Sequence, residues 1–212
     1  MSIIYVLTND AMPDYIKVGY TERDVKQRMI ELDTTAMPLP FQCYYACEVE
    51  DFMKVERALH AAFDDFRVRK NREFFYKLDP HKVRTILELL AIREVTPREE
   101  VVSEADDASA LQKVARWTKR FNFPEVGIPL GSRINFVRDE SIIAIVNGDT
   151  TVEFNGETMT TSAAALVASR KLGYQSTALS GPNYWLYNGS TLSQVRMEFE
   201  ADHESDAEGA GE

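Results

Sequence analysis

Six side chains between positions 5 and 73 are of the kinds that phosphodiester hydrolysis uses: Tyr5, Lys17, Arg28, Glu56, His60 and Glu73. That reaction needs a group to activate a nucleophile, positive charge beside the phosphorus and, commonly, a hard cation held by carboxylate oxygen. If Tyr5 and Lys17 lie on paired antiparallel strands they share a face, and an ammonium beside the phenol is expected to lower its pKa and make Tyr5 a base. The planar fork of Arg28 suits phosphate oxygens. Glu56 and His60 are four residues apart and so fall on one helical face, where they could supply a cation ligand and a proton donor or phosphate contact. Each residue taken alone is better explained in an ordinary way, as a half-buried strand aromatic, a snorkelling lysine or solvated helix charges; it is their joint order that points to chemistry.

The elements that must position these groups follow from pattern. Ile3-Ile-Tyr-Val-Leu7 and Tyr15-Ile-Lys-Val-Gly-Tyr-Thr21 flank turn signals at Asn9-Asp10 and Pro13-Asp14, which predicts a hairpin. Val25, Met29 and Leu32 recur at helical spacing, Phe41 to Val49 reads as a third strand, and Asp51 opens a second helix with Val55, Leu59 and Phe63 on its apolar stripe. Phe74 to Leu78 is a short fourth strand candidate, and Asp79-Pro80 starts a helix that runs to about Ile92.

In this order the pieces resemble the GIY-YIG nuclease superfamily, particularly its phage and prophage branch. The matching pieces are Ile4-Tyr5-Val6, Lys17-Val18-Gly19-Tyr20-Thr21, Arg28 with Leu32, Glu56 followed by Leu59-His60, and Arg72-Glu73-Phe74-Phe75, covering residues 3 to about 78. The resemblance implies that Tyr5 activates water, Arg28 steadies the scissile phosphate and Glu56 binds a single divalent ion, Mg²⁺ or Mn²⁺. It also places Lys17 where the second signature tyrosine stands, Ile3 where the first glycine stands, and Leu32 where a histidine or tyrosine is common. Glu73 takes the position of the customary asparagine. Arg67, Arg69, Lys70 and Arg72 cluster beside it and would grip a DNA backbone, although a solvated loop explains such a cluster as well. The expected activity is metal-dependent DNA cleavage in a phage, prophage or restriction-type setting; a non-cleaving DNA-binding or phage-encoded interaction protein on the same fold is the alternative.

Beyond residue 93 the composition changes. Residues 94–109 are mainly acidic and contain Pro97, which suggests a linker; 110–197 open with a short basic helix to Arg120 and become β-rich, with turns at Asn147-Gly148 and Asn155-Gly156 and an alanine-rich helix from Ser162 to Gly173. That segment faintly resembles small DNA-reading modules appended to restriction enzymes and adenine methylases, with Trp185 and Tyr187 as stacking faces for a base or, equally, as core. Residues 198–212 read as a disordered acidic tail. The predicted class is therefore α+β: a central antiparallel three-stranded sheet flanked by helices over 1–93, then a second small β-rich α+β domain.

The formal net charge of −10 does not exclude a polyanionic partner, because it is unevenly placed: Met1–Glu94 hold 14 Lys and Arg against 16 Asp and Glu, whereas Met197–Glu212 hold seven acids and no Lys or Arg. An apolar run of membrane-spanning length and a secretory leader are both missing, so a cytoplasmic location without membrane association is expected, with DNA as partner and a homodimer left open. Cys43 and Cys47 have same-face strand spacing and read as structural thiols rather than a disulfide or zinc pair.

Overall fold

The computed structural model describes residues 2–99, 101, 110–111 and 120–209. They form two compact units, one of residues 1–117 with 173–178 and one of 118–172 with 179–212. Each has its own antiparallel sheet with helices, an α+β fold in both cases. Most of the basic segment 110–120 lies outside the described residues.

In the first unit β1 (Ile3–Thr8) is central, paired with β2 (Tyr15–Thr21) on one side and β3 (Gln42–Glu48) on the other. Every residue of β1 is buried, which is why its sequence is a continuous apolar run rather than an alternation. The sheet is wider than the three strands expected from pattern. Short strands β4 (Phe74–Tyr76) and β5 (Arg93–Glu94) extend it to the order β4-β2-β1-β3-β5. β5 takes residue 94 into the sheet, and the buried Thr96 hydroxyl receives the Ala46 amide at 3.0 Å, so the start of the supposed linker belongs to the domain. The third strand also bulges. Val6 faces Tyr45 but Leu7 faces Cys43, so one residue is inserted and the two cysteines fall on opposite faces of the sheet instead of one. Both are unbridged.

Three helices cover this sheet, and an aspartate caps each. Asp24 accepts from the Lys26 amide at the start of α1 (Val25–Leu32), Asp51 from the Lys54 amide before α2 (Phe52–Ala62), and Asp79 from the His81 amide before α3 (Pro80–Leu90), whose first residue is a proline suited to that position. Val25 and Met29 of α1 pack on Ile3, Tyr5, Leu7, Phe41 and Ala46. The start of α2 is set by Phe52 against Tyr20 (ring centroids 4.5 Å apart), and its end by His60 against Phe75 (5.2 Å, edge-on).

The second unit holds β6 (Arg133–Phe136), β7 (Asp139–Val146), β8 (Thr151–Phe154), β9 (Glu157–Thr160), α4 (Thr161–Lys171), a single helical turn α5 (Gly181–Tyr184), β10 (Trp185–Tyr187), β11 (Ser190–Thr191) and α6 (Leu192–Gly209). The sheet order is β11-β10-β6-β7-β8-β9. The Asn155-Gly156 hairpin adopts the left-handed pair of φ angles, 56° and 82°, that such a two-residue turn demands, and Asn188-Gly189 repeats it at 51° and 83°. Thr160, not Ser162, caps α4, accepting from the Ala163 amide. Trp185 is fully buried, its rings edge-on to Phe136 and Phe154, its indole N–H donating to the Thr161 carbonyl at 2.9 Å. It is core, and its stacking reading is withdrawn; Tyr187 is half-buried. The segment from 198 also differs from expectation: α6 continues to Gly209, so residues 198–209 are helical rather than disordered. Among the described residues no helix is long and apolar enough to cross a membrane.

Candidate functional site

Tyr5 and Gly19 are directly paired across β1 and β2, and Leu7 is paired with Lys17, which puts Tyr5, Lys17 and Gly19 on one face. Glycine at 19 is a matter of space. A methyl group there would stand 2.8 Å from the Tyr5 hydroxyl, 3.0 Å from Tyr5 Cε2 and 3.0 Å from Glu73 Oε2. The phenol and the carboxylate therefore border the same small gap above the glycine. An isolated glycine inside a strand pattern is the signal that could have marked this position in advance.

Arg28 approaches from α1. Its Nε donates a long hydrogen bond to the Tyr5 hydroxyl at 3.4 Å, and its terminal nitrogen pairs with Glu31 at 3.3 Å, itself bridged to Arg23 at 3.2 Å. The guanidinium is thus held by two contacts while about a third of the side chain stays in solvent, the state expected of a group awaiting an anion. Tyr5 and Arg28, both predicted site residues, thus meet directly.

The role expected of Lys17 needs correction. Its ammonium is buried, lies over the Phe74 ring and forms an ion pair with Glu73 Oε2. It does not lower the Tyr5 pKa. Burial pushes the phenol above its ordinary range; the Arg28 hydrogen bond and charge pull it down, and the Glu73 and Glu56 carboxylates push it up. Tyr5 is thus a buried phenol held above its ordinary pKa range. The same interactions put both carboxylates within electrostatic reach of its hydroxyl.

Glu56 and His60 do share a face of α2, with His60 Nε2 3.8 Å from Glu56 Oε1. That same nitrogen lies 3.3 Å from the Val18 carbonyl, and with the proton on Nε2 it donates to this backbone oxygen. His60 therefore fastens α2 to β2, a different task from giving a proton to a leaving group. The basic cluster also divides. Arg67 is folded inward over the Phe75 ring and donates to the Lys70 and Arg72 carbonyls, so it shapes the loop instead of reaching outward. Lys70 is paired with Asp64 at 2.8 Å, while Arg69 and Arg72 are exposed. An open depression is lined by Arg57, His60, Ala61, Asp64, Arg67 and Lys70, one residue along α2 from Glu56. Arg57 went unrecognised in the sequence because an exposed helical arginine has no pattern to mark it.

Among the described residues no group of three or more His, Cys, Asp or Glu is arranged to enclose a metal ion. A transition-metal cage is thereby unsupported. A hard ion that keeps several waters and binds through one carboxylate and substrate phosphate oxygens asks for less, and Glu56 fits it.

Residues 2–91, the stretch that contains all of these groups, match the family model of the T5orf172 domain. No curated protein and no solved structure matches the chain. The first unit is thus similar to a phage-associated domain of DNA-interacting, nuclease-like proteins.

Proposed function

We propose that the first unit is a metal-dependent DNA endonuclease site of the GIY-YIG kind. The observation that supports this most is the meeting of the Arg28 guanidinium and the Tyr5 hydroxyl at 3.4 Å, on a face where Glu56 and Glu73 both act on that hydroxyl. Nothing in packing requires a buried phenol, a held cation and two carboxylates to act on one another over one face of a sheet. In this reading Arg28 takes the scissile phosphate, Glu56 would hold Mg²⁺ or Mn²⁺, and that ion would supply charge at the phosphorane. His60 anchors the helix that carries Glu56 to β2. Arg69, Arg72 and Arg57 offer the backbone contacts on either side, with Lys70 partly neutralised by Asp64.

The similarity to the T5orf172 domain supports DNA as partner. A protein that binds DNA without cutting is favoured by one feature, the neutralisation of Lys17 by Glu73 where an aromatic hydroxyl would otherwise stand. Incubating the full chain with supercoiled plasmid separates the two. Nicking with Mg²⁺, lost in EDTA and in Glu56→Ala, is the expected result. Equal plasmid binding by both proteins with no nicking by either would refute the nuclease and leave the binding protein.

A further inference from the structure

The open depression beside α2 measures about 540 Å³, and its lining sets three positive side chains, Arg57, Arg67 and Lys70, against one carboxylate, Asp64. We infer, resting on DNA as the partner of this unit, that the depression receives a backbone phosphate of the bound strand between Arg57 and Lys70, and that Asp64 is a built-in competitor that holds Lys70 until DNA arrives.

Arg57 is ready for an anion. Its Nε is anchored on the Met53 carbonyl at 3.2 Å, one turn back along the helix, and among the described residues no carboxylate pairs with its guanidinium. A fork fixed at one nitrogen, with two terminal nitrogens left over, suits bidentate contact with phosphate oxygens.

Arg67 cannot reach outward, but it supplies positive field. Its side chain is 11% exposed, lies over the Phe75 ring and uses one terminal nitrogen on the Lys70 and Arg72 carbonyls, which also fixes the loop that carries Lys70. Its Nε is buried without a hydrogen-bond partner, and the carboxylate oxygen that faces it, Asp64 Oδ1, stands 3.7 Å away. A guanidinium so deeply set and so loosely compensated leaves excess positive potential in the depression.

Asp64 is shared between two cations. Its Oδ2 holds Lys70 Nζ at 2.8 Å while its Oδ1 faces Arg67. The Lys70 side chain is 81% exposed, so it can turn from Asp64 to an incoming phosphate with no change in the fold, and the released carboxylate keeps Arg67 as its partner. The ion pair given up is a weak one in water, whereas contact with the DNA backbone also releases condensed counterions. The position is apt as well. Arg57 follows Glu56 in sequence, and His60, which lines the depression, has its Nε2 3.8 Å from Glu56 Oε1, so a strand lying in the depression runs beside the carboxylate that would hold the divalent ion.

Anisotropy of a fluorescent DNA duplex titrated with the full chain, with Ca²⁺ in place of Mg²⁺, tests the exchange across about 50–200 mM salt. Arg57→Ala should weaken binding and flatten the slope of log affinity against log salt by about 0.9, the share of one phosphate. Asp64→Asn should tighten binding about two- to five-fold, because Lys70 no longer has a carboxylate to leave. Removing any negative charge favours DNA somewhat, so two controls isolate the exchange. Asp65→Asn, at an exposed neighbour that does not line the depression, should gain less than Asp64→Asn, and Asp64→Asn/Lys70→Gln should lose the gain. Thermal melts close to the wild type's establish that each variant is folded.

Equal salt slopes for Arg57→Ala and the wild type would overturn the inference. So would equal gains in Asp64→Asn and Asp65→Asn, which would make Asp64 and Lys70 an ordinary surface ion pair. An Arg57-dependent rise in melting temperature in inorganic phosphate, with DNA binding untouched by Arg57→Ala, would make the depression a small-anion site and overturn it equally. A wild type that binds no DNA would overturn the reading of DNA as partner, a distinguishable result.

Discussion

Replacing Gly19 with alanine is the most direct probe of how the strand pairing sets the chemistry. The new methyl would meet the Tyr5 hydroxyl at 2.8 Å and Tyr5 Cε2 at 3.0 Å, well inside ordinary contact distance. Non-bonded atoms settle at about 3.5 Å or beyond, so the end of the ring has to retreat by roughly half an ångström. It has little room to do so. Tyr5 is 1% exposed and packed among Ile3, Leu7, Val25 and Met29, and on the open side its hydroxyl meets Arg28 Nε at 3.4 Å, already near the limit of a hydrogen bond. The retreat lengthens that contact past usefulness or drives Arg28 aside.

Overpacking of this kind costs about 1–3 kcal/mol, and a displacement of this order at reacting groups costs about 10²-fold in rate. Gly19→Ala should therefore nick plasmid 10- to 100-fold more slowly, by the same displacement argument, while melting only several degrees lower. Combining it with Tyr5→Phe removes the oxygen that makes the 2.8 Å clash, so the stability losses should be less than additive. Thermal melts of the two single variants and the double variant measure the coupling without any need for cleavage. Strict additivity, or Gly19→Ala with wild-type rate and melting temperature, would refute the claim that this glycine sets the phenol's position.

Two further outcomes follow from burial. Burial pushes the Cys47 thiol up to about 12, and likewise raises the phenols of Tyr5 and Tyr45. A folded-state pKa above the unfolded value means the folded chain holds protons that the unfolded chain has released, so stability is full below pH 9 and falls as pH rises beyond it. Urea titrations at pH 8, 9.5 and 10.5 should show that loss, reduced in Cys47→Ala, and a flat profile would contradict it. Trp185→Phe loses the hydrogen bond to Thr161 and some core volume, so it should destabilise the second unit by about 1–3 kcal/mol and leave DNA affinity of the folded protein unchanged. A selective loss of DNA binding at full stability would restore the stacking role.

Local pattern was enough for the elements whose reasons are local. The Ile3–Leu7 run, the aspartates at 51 and 79 and the Asn-Gly turn at 155 appear in the structure as strand, caps and hairpin because each acts on neighbours within a few residues. What was illegible depends on partners far along the chain. The two-residue strand at Arg93 exists only because Cys47 and Glu48 offer an edge, and the two cysteines part faces because of an inserted residue that appears only in the pairing with β1. Asn188-Gly189 was readable as a hairpin turn in principle, yet its flanking strands are too short to show alternation.

The site shows the same division in sharper form. Lys17, two residues before Gly19 in the strand facing Tyr5, looked in sequence like the cation that would ionise the phenol. Its actual partner is 56 residues later. With Glu73 paired to that ammonium, Arg28 is the cation in contact with the phenol, and burial holds the phenol above its ordinary pKa range. A charge's effect on a neighbour is decided by which group satisfies it first, and in a sheet that choice is made across strands. Residue types and their order marked out these side chains, while the non-local ion pair decides which charges meet.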